Sequence, residues 1–134
     1  MPPDLRDPTH PAEWLRRARS NLALANNAAQ LPGVLYEDLC FDAQQAAEKG
    51  IKAVLVQLQV EFPKTHALSE LLDLVARAGL PASADVREAS RLTRYAVTTR
   101  YVGLTEDVTE DEYREAVDLA ERVLRWAESI VTTT

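Results

Sequence analysis

At 134 residues, 46% of them hydrophobic and 27% charged, the chain suits a single globular domain with a continuous core, which argues against two domains. A formal charge of -6 excludes a surface that attracts polyanions everywhere, so any nucleic-acid contact needs a local basic patch. Cys40 is the only cysteine, which excludes an intrachain disulfide and a cysteine metal cluster; with no apolar run of membrane-spanning length, a cytoplasmic, unanchored protein is expected.

Only four glycines, among abundant Ala, Leu, Arg and Glu, favour helix over sheet. Residues 1–10, with Pro2, Pro3 and Pro8, read as a flexible arm, and residues 11–134 as a helical bundle. Thr9 or Asp7 is placed to start the first helix, with Pro11 in its first turn and Glu13 at the positive dipole end. Trp14, Leu15, Ala18, Leu22, Ala25 and Ala29 recur with helical period until Pro32-Gly33 ends the segment. The second and longest helix is predicted over Val34–Phe62, where Leu35, Leu39, Ala43, Ala46, Ala47, Ile51, Val54 and Leu58 share one side and Pro63 stops it. Gly50 inside it costs roughly 1 kcal/mol relative to Ala, which points either to a close helix crossing or to simple tolerance of a glycine.

A third helix is predicted over Ala67–Ala78, with Gly79 as a left-handed cap and Pro81 beyond. Asp85 and Glu88 resemble a capping box for a fourth helix, which reaches about Val102 before Gly103. The fifth starts at Thr109, three residues before Glu112, and buries Tyr113, Ala116, Val117, Ala120, Val123, Leu124, Ala127 and Ile130. No strand-like alternation and no internal repeat interrupts this order. The expected architecture is an all-α, up-and-down bundle of four main helices plus a short one.

Enzyme signatures are sparse: the chain has no Gly-rich phosphate loop, no G-x-S-x-G, no H-E-x-x-H and no cofactor motif. His66, in FPKTHAL, is placed to cap, to pack or to move protons; His10 reads as solvated. Lys52 follows Glu48 by four residues, the favourable order for a helical ion pair, while Lys49 and Lys52 together form an alternative phosphate site. Arg87, Arg91 and Arg94 share one face, which reads as a solvated strip, a pair for the acidic fifth helix, or a phosphate track. Four arginines against two acids between Asp85 and Leu104 give way to eight acids against Arg114 from Thr105 to Glu121. Tyr95, Tyr101, Tyr113, Trp14 and Trp126 can stack on bases, but their spacing favours burial.

Three stretches together resemble the HEPN domain family. They are FDAQQAAEKGIKAVLVQLQVEF, with Gln45, Ala47, Glu48, Lys49, Lys52 and Ala53 in a Q-x-A-E-K-x-x-K-A run; THALSELLDLV, with His66 and Leu68 in an H-x-L; and YAVTTRYVG, with Tyr95, Arg100 and Tyr101. The resemblance implies a helical bundle that commonly forms homodimers, with the Arg100 region near a cleft between protomers. It also implies a minimal nucleotidyltransferase as partner, in some cases within a toxin-antitoxin pair. The residues it marks for a nucleotide or RNA phosphate are Arg100 and Tyr101, with Tyr95, Lys49, Lys52 and His66 beside them.

Ribonuclease members of the family carry a histidine a few residues after the arginine. Here Glu106 and Asp107 stand in its place, and carboxylates near a phosphate oppose binding. The resemblance therefore implies binding without RNA cleavage; a metal-independent ribonuclease using Arg100 and His66 is the alternative.

Overall fold

In the computed structural model, which describes residues 8–96 and 107–131, every regular element is helical. The first helix, α1, spans Pro11–Asn27. Its N-cap position falls on His10, and no side chain caps it, so Thr9 does not play the starting role expected of it; Asp7 lies outside the described residues. Pro11 compensates, because its missing N–H removes one orphan donor and its fixed φ suits the first turn. A short 3-10 turn, Ala28–Gln30, then leads to Gly33 at φ 81°.

The α2 helix, Tyr36–Gln57, ends well short of Phe62, and Pro63 is not what stops it. Gln59 adopts φ 59°, its N–H bonds to the Val56 carbonyl at 3.1 Å, and the Val60 N–H reaches back to the Leu55 carbonyl at 2.9 Å. That is a Schellman ending built on glutamine where glycine is usual. The left-handed conformation costs an L-residue about 1 kcal/mol. Gln59→Gly is expected to raise stability by about 0.5–1 kcal/mol in chemical denaturation, because the exposed side chain contributes little packing.

The same ending recurs with the expected residue at α3, Leu68–Arg77: Gly79 sits at φ 94° and the Leu80 N–H bonds to the Val75 carbonyl at 3.2 Å. The predicted fourth helix is a single α-turn, α4 at Ala84–Arg87, followed by a 3-10 stretch, Glu88–Ala96. Its cap is Ser83, whose hydroxyl accepts from the Val86 N–H, and not Asp85. Val86, Ala89, Leu92 and Tyr95 are all buried, and their strict spacing of three matches a three-residue turn better than an α-helical one. The expected continuation to Val102 lies outside the described residues. The last helix, α5 at Glu110–Ile130, carries the complete Thr109/Glu112 capping box.

The centre of the molecule is α2, which packs against α1, α3, α5 and the 3-10 stretch. Its inner positions are small: Ala43, Ala46, Ala47, Gly50 and Ala53 are buried, so neighbouring helices approach closely. A Cβ on Gly50 would lie 3.0 Å from Leu124 Cδ1 and 3.3 Å from Val123 Cγ1 of α5, which makes Gly50 the close crossing its position suggested. Gly50→Val is expected to cost about 1–3 kcal/mol through overpacking, read as a lowered denaturation midpoint with unchanged slope. Leu15, Ile51, Leu55, Leu71, Leu92 and Leu119 fill the core between these helices. Among the described residues, no helix is long and apolar enough to cross a membrane.

Candidate ligand site along the α1 and α2 seam

Two of the residues marked in the sequence, Lys52 and His66, converge on a third, Glu48. The Glu48 carboxylate is only 4% exposed and accepts three hydrogen bonds: from Gln44 Nε2 at 2.9 Å, Lys52 Nζ at 3.0 Å and His66 Nδ1 at 2.8 Å. Gln44 is itself fully buried and accepts from Gln45 Nε2 at 2.7 Å. Burial alone would raise the Glu48 pKa; the bonds from His66, Gln44 and Lys52 outweigh it and hold the carboxyl below its ordinary value. Lys52 is thus the expected ion-pair residue, its ammonium also lying 5.8 Å from the Trp14 ring centre and 5.4 Å from that of Phe62. His66, 59% exposed, does not cap α3; it ties the segment between α2 and α3 to the middle of α2.

Lys49 points elsewhere. Its ammonium donates to Asn21 Oδ1 at 2.7 Å, and Asn21 Nδ2 donates to Asp42 Oδ1 at 3.1 Å. With Arg16, Arg17, Ser20 and Asn21, Lys49 lines a cleft of about 320 Å³. Burial, and then the charge of Arg17, lower the Lys49 pKa, with Glu48 and Asp42 acting in the opposite sense. The two arginines are held by Glu13, which accepts from Arg16 Nε at 3.0 Å, Arg16 Nη2 at 2.9 Å and Arg17 Nε at 2.7 Å. The Arg16 bond, partly offset by burial, and then Arg17 lower the Glu13 pKa. One carboxylate therefore orients two guanidinium groups beside a half-buried ammonium. An anion entering the cleft would relieve the repulsion that lowers Lys49.

This local basic cleft answers the requirement set by the chain's acidity, yet only Lys49 of its lining was singled out in the sequence. The signal was present in the run Arg16-Arg17-Ala18-Arg19-Ser20-Asn21, which the apolar stripe of the same helix overshadowed.

The other marked residues lie apart. Tyr95 is buried, and burial, then the neighbouring Cys40, push its hydroxyl up to about 12. Cys40 is likewise pushed up to about 12 by burial. Arg91 and Arg94 line a second cleft of about 420 Å³ but pair with Glu115 at 3.2 Å and Glu112 at 3.5 Å on α5, so their charge is matched there. Arg87 leaves that face to reach Asp73 at 2.7 Å, because the 3-10 turn changes the angular spacing on which a shared strip depended. Tyr113 is half-buried and stacks on Tyr36, with ring centres 5.0 Å apart. Arg100 and Tyr101 lie outside the described residues. Among those described, no three of His, Cys, Asp and Glu gather as a metal set.

Comparison with known proteins agrees with this architecture. Residues 11–130 match the profile of the HEPN domain. The chain is similar to the crystal structure of TT1696 from Thermus thermophilus, with 32% identity and a TM-score of 0.72 over 90% of this chain and 98% of that one. It is also similar to ST0689, an archaeal HEPN homologue, with 28% identity and a TM-score of 0.69 over 90% of this chain and 96% of that one. No curated protein matches. With the profile covering nearly the whole bundle from the start of α1 to the end of α5, the chain belongs to the HEPN domain family.

Proposed function

We propose that this protein is a nucleotide-binding and interaction module that works beside a minimal nucleotidyltransferase, in a pair of the toxin-antitoxin kind, and that it acts as a homodimer. The observation that carries the binding part is the cleft of about 320 Å³ at Lys49, which Arg16, Arg17 and a half-buried ammonium line together. Such a site grips an anion through charge-assisted hydrogen bonds and supplies no group poised to break it. The partner part is supported by membership of the family and by the excess of acids over bases in the first half of α5, with Asp111 exposed among them, which suits a basic partner face.

The test is affinity capture of the tagged chain from its native extract, with mass spectrometry of what is retained and of the intact chain. Recovery of a nucleotidyltransferase at fixed stoichiometry with two copies of the chain is the expected result. Its absence contradicts the partnership.

One observation favours the ribonuclease reading. Glu48 holds His66 by Nδ1, an arrangement that orients an imidazole for proton transfer. Under that reading, His66→Ala and Arg100→Ala each abolish RNA cleavage without loss of helicity. Under the binding reading RNA incubated with the wild-type protein stays intact, and this is the outcome expected from Glu106 and Asp107 following Arg100.

A further inference from the structure

The cleft at Lys49 does not stand alone on the seam. At 100° per residue, Trp14, Arg17 and Asn21 lie within roughly 60° of one another on α1, as do Lys49, Lys52 and Val56 on α2. The two stripes face each other: Asn21 meets Lys49, and further along the seam Trp14 meets Lys52. Beyond Lys52 the chemistry changes from charged to apolar. A second cavity of about 630 Å³ opens there, lined by Trp14, Val56, Val60 and Phe62, with Gln59 and Glu61 also on its wall. Trp14 and Phe62 meet edge to face, ring centres 6.0 Å apart and planes at 80°, so the two rings form a corner. The indole N–H is fixed by the Pro8 carbonyl at 2.7 Å, which sets the orientation of the Trp14 ring.

Resting on the phosphate reading of the Lys49 cleft, we infer that the seam binds a purine mononucleotide lengthwise, its phosphate at Arg17 and Lys49 and its base in the corner made by Trp14 and Phe62. The order of the two subsites supplies the argument. An anionic end and a flat apolar end, joined by a short polar link, are what a basic cleft and an adjoining aromatic corner complement. A free phosphate would leave the aromatic corner unused, and an uncharged aliphatic chain would leave unmatched the excess positive charge of Arg16, Arg17 and Lys49 over the single Glu13 carboxylate. Lys52 keeps its ammonium on Glu48 at 3.0 Å and 5.4 Å from the Phe62 ring centre, which ties the aromatic corner to the Glu48 cluster and leaves the phosphate to Arg17 and Lys49. Gln59 and Glu61 place an amide and a carboxylate where the base edge ends. The left-handed turn at Gln59 ends α2 and redirects the chain, so that Val60 and Phe62 wall the cavity instead of continuing the helix.

The test uses the full chain with Trp126→Phe, which leaves Trp14 as the sole tryptophan. AMP, GMP, UMP and ribose 5-phosphate are titrated while Trp14 emission is followed, with calorimetry alongside and circular dichroism as the check of folding. AMP and GMP are expected to quench Trp14 and to bind at least about fivefold more tightly than ribose 5-phosphate, the lower end of base-aromatic stacking. UMP is expected between them. Phe62→Ala, or Phe62→Leu should the first variant lose helicity, is expected to bring AMP down to the affinity of ribose 5-phosphate.

Equal affinity for AMP and ribose 5-phosphate in the unaltered groove overturns the base subsite and leaves the phosphate reading standing. UMP binding as tightly as AMP overturns the purine assignment. Failure of all four ligands to bind overturns the phosphate reading together with this one.

Discussion

Replacing Glu48 by alanine is expected to lower the stability of the fold by about 3 kcal/mol, a fall of roughly 10 °C in Tm for a chain of this size. The carboxylate sits on the central helix, and its three donors come from its own helix and from the segment leading into α3. Its loss strands the buried Gln44 amide and leaves the Lys52 ammonium, only 12% exposed, without its counter-charge. Partial access of Lys52 to water keeps the cost at the low end for a broken buried pair.

A pH dependence follows from the same geometry. The folded-state pKa of Glu48 is lowered, so its contribution is fully present above the unfolded carboxylate pKa, about 4.3, and is lost as pH falls through the folded value. Glu48→Gln should therefore flatten the decline in Tm between about pH 5 and pH 3 relative to the wild type. Glu13 and Glu112, also lowered, keep part of the acid sensitivity in both proteins, so the difference between the two curves isolates Glu48.

Lys49→Met, which keeps the apolar stem and removes the charge, is expected to weaken nucleotide binding by about ten- to a hundredfold, the worth of one charge-assisted hydrogen bond, with little change in Tm. Calorimetric titration of AMP into the two proteins at low salt measures it. Binding to the wild type should weaken as salt rises, since the cleft opens to solvent. It should also fail at a lower pH than an ordinary lysine would give, because burial and Arg17 lower the Lys49 pKa. Retention of wild-type affinity by Lys49→Met would remove the ammonium from the site.

The elements were legible where local chemistry and packing agree. Thr109 and Glu112 spell out a capping box that forms as written, and Gly79 and Gly50 sit where a left-handed cap and a close crossing require them. The end of α2 was not legible, because Gln59 takes a conformation that glutamine rarely adopts, and nothing local distinguishes it from a helical glutamine. The 3-10 stretch was hidden for a related reason. Its buried positions, Ala89, Leu92 and Tyr95, also fit an α-helix, and only the strict spacing of three decides between them.

At the site, Glu48 with Lys52 could be read from one helix, because the interaction is four residues long. The cleft could not, since Lys49 meets Asn21 across 28 positions of sequence, and pairing of distant segments is set by the bundle as a whole. His66 was visible as a residue of interest, but its partner was not, because their contact needs the segment after α2 to fold back along that helix.

The measurement that bears most directly on the central claim is the change in backbone amide and indole N–H resonances on titrating AMP into the isotope-labelled protein. Binding at the α1 and α2 seam predicts that the largest shifts fall on residues 16 to 21, on Lys49 and on the Trp14 indole, and saturate together. Shifts concentrated instead on Arg91, Arg94 and Tyr95, or none at millimolar AMP, would contradict it.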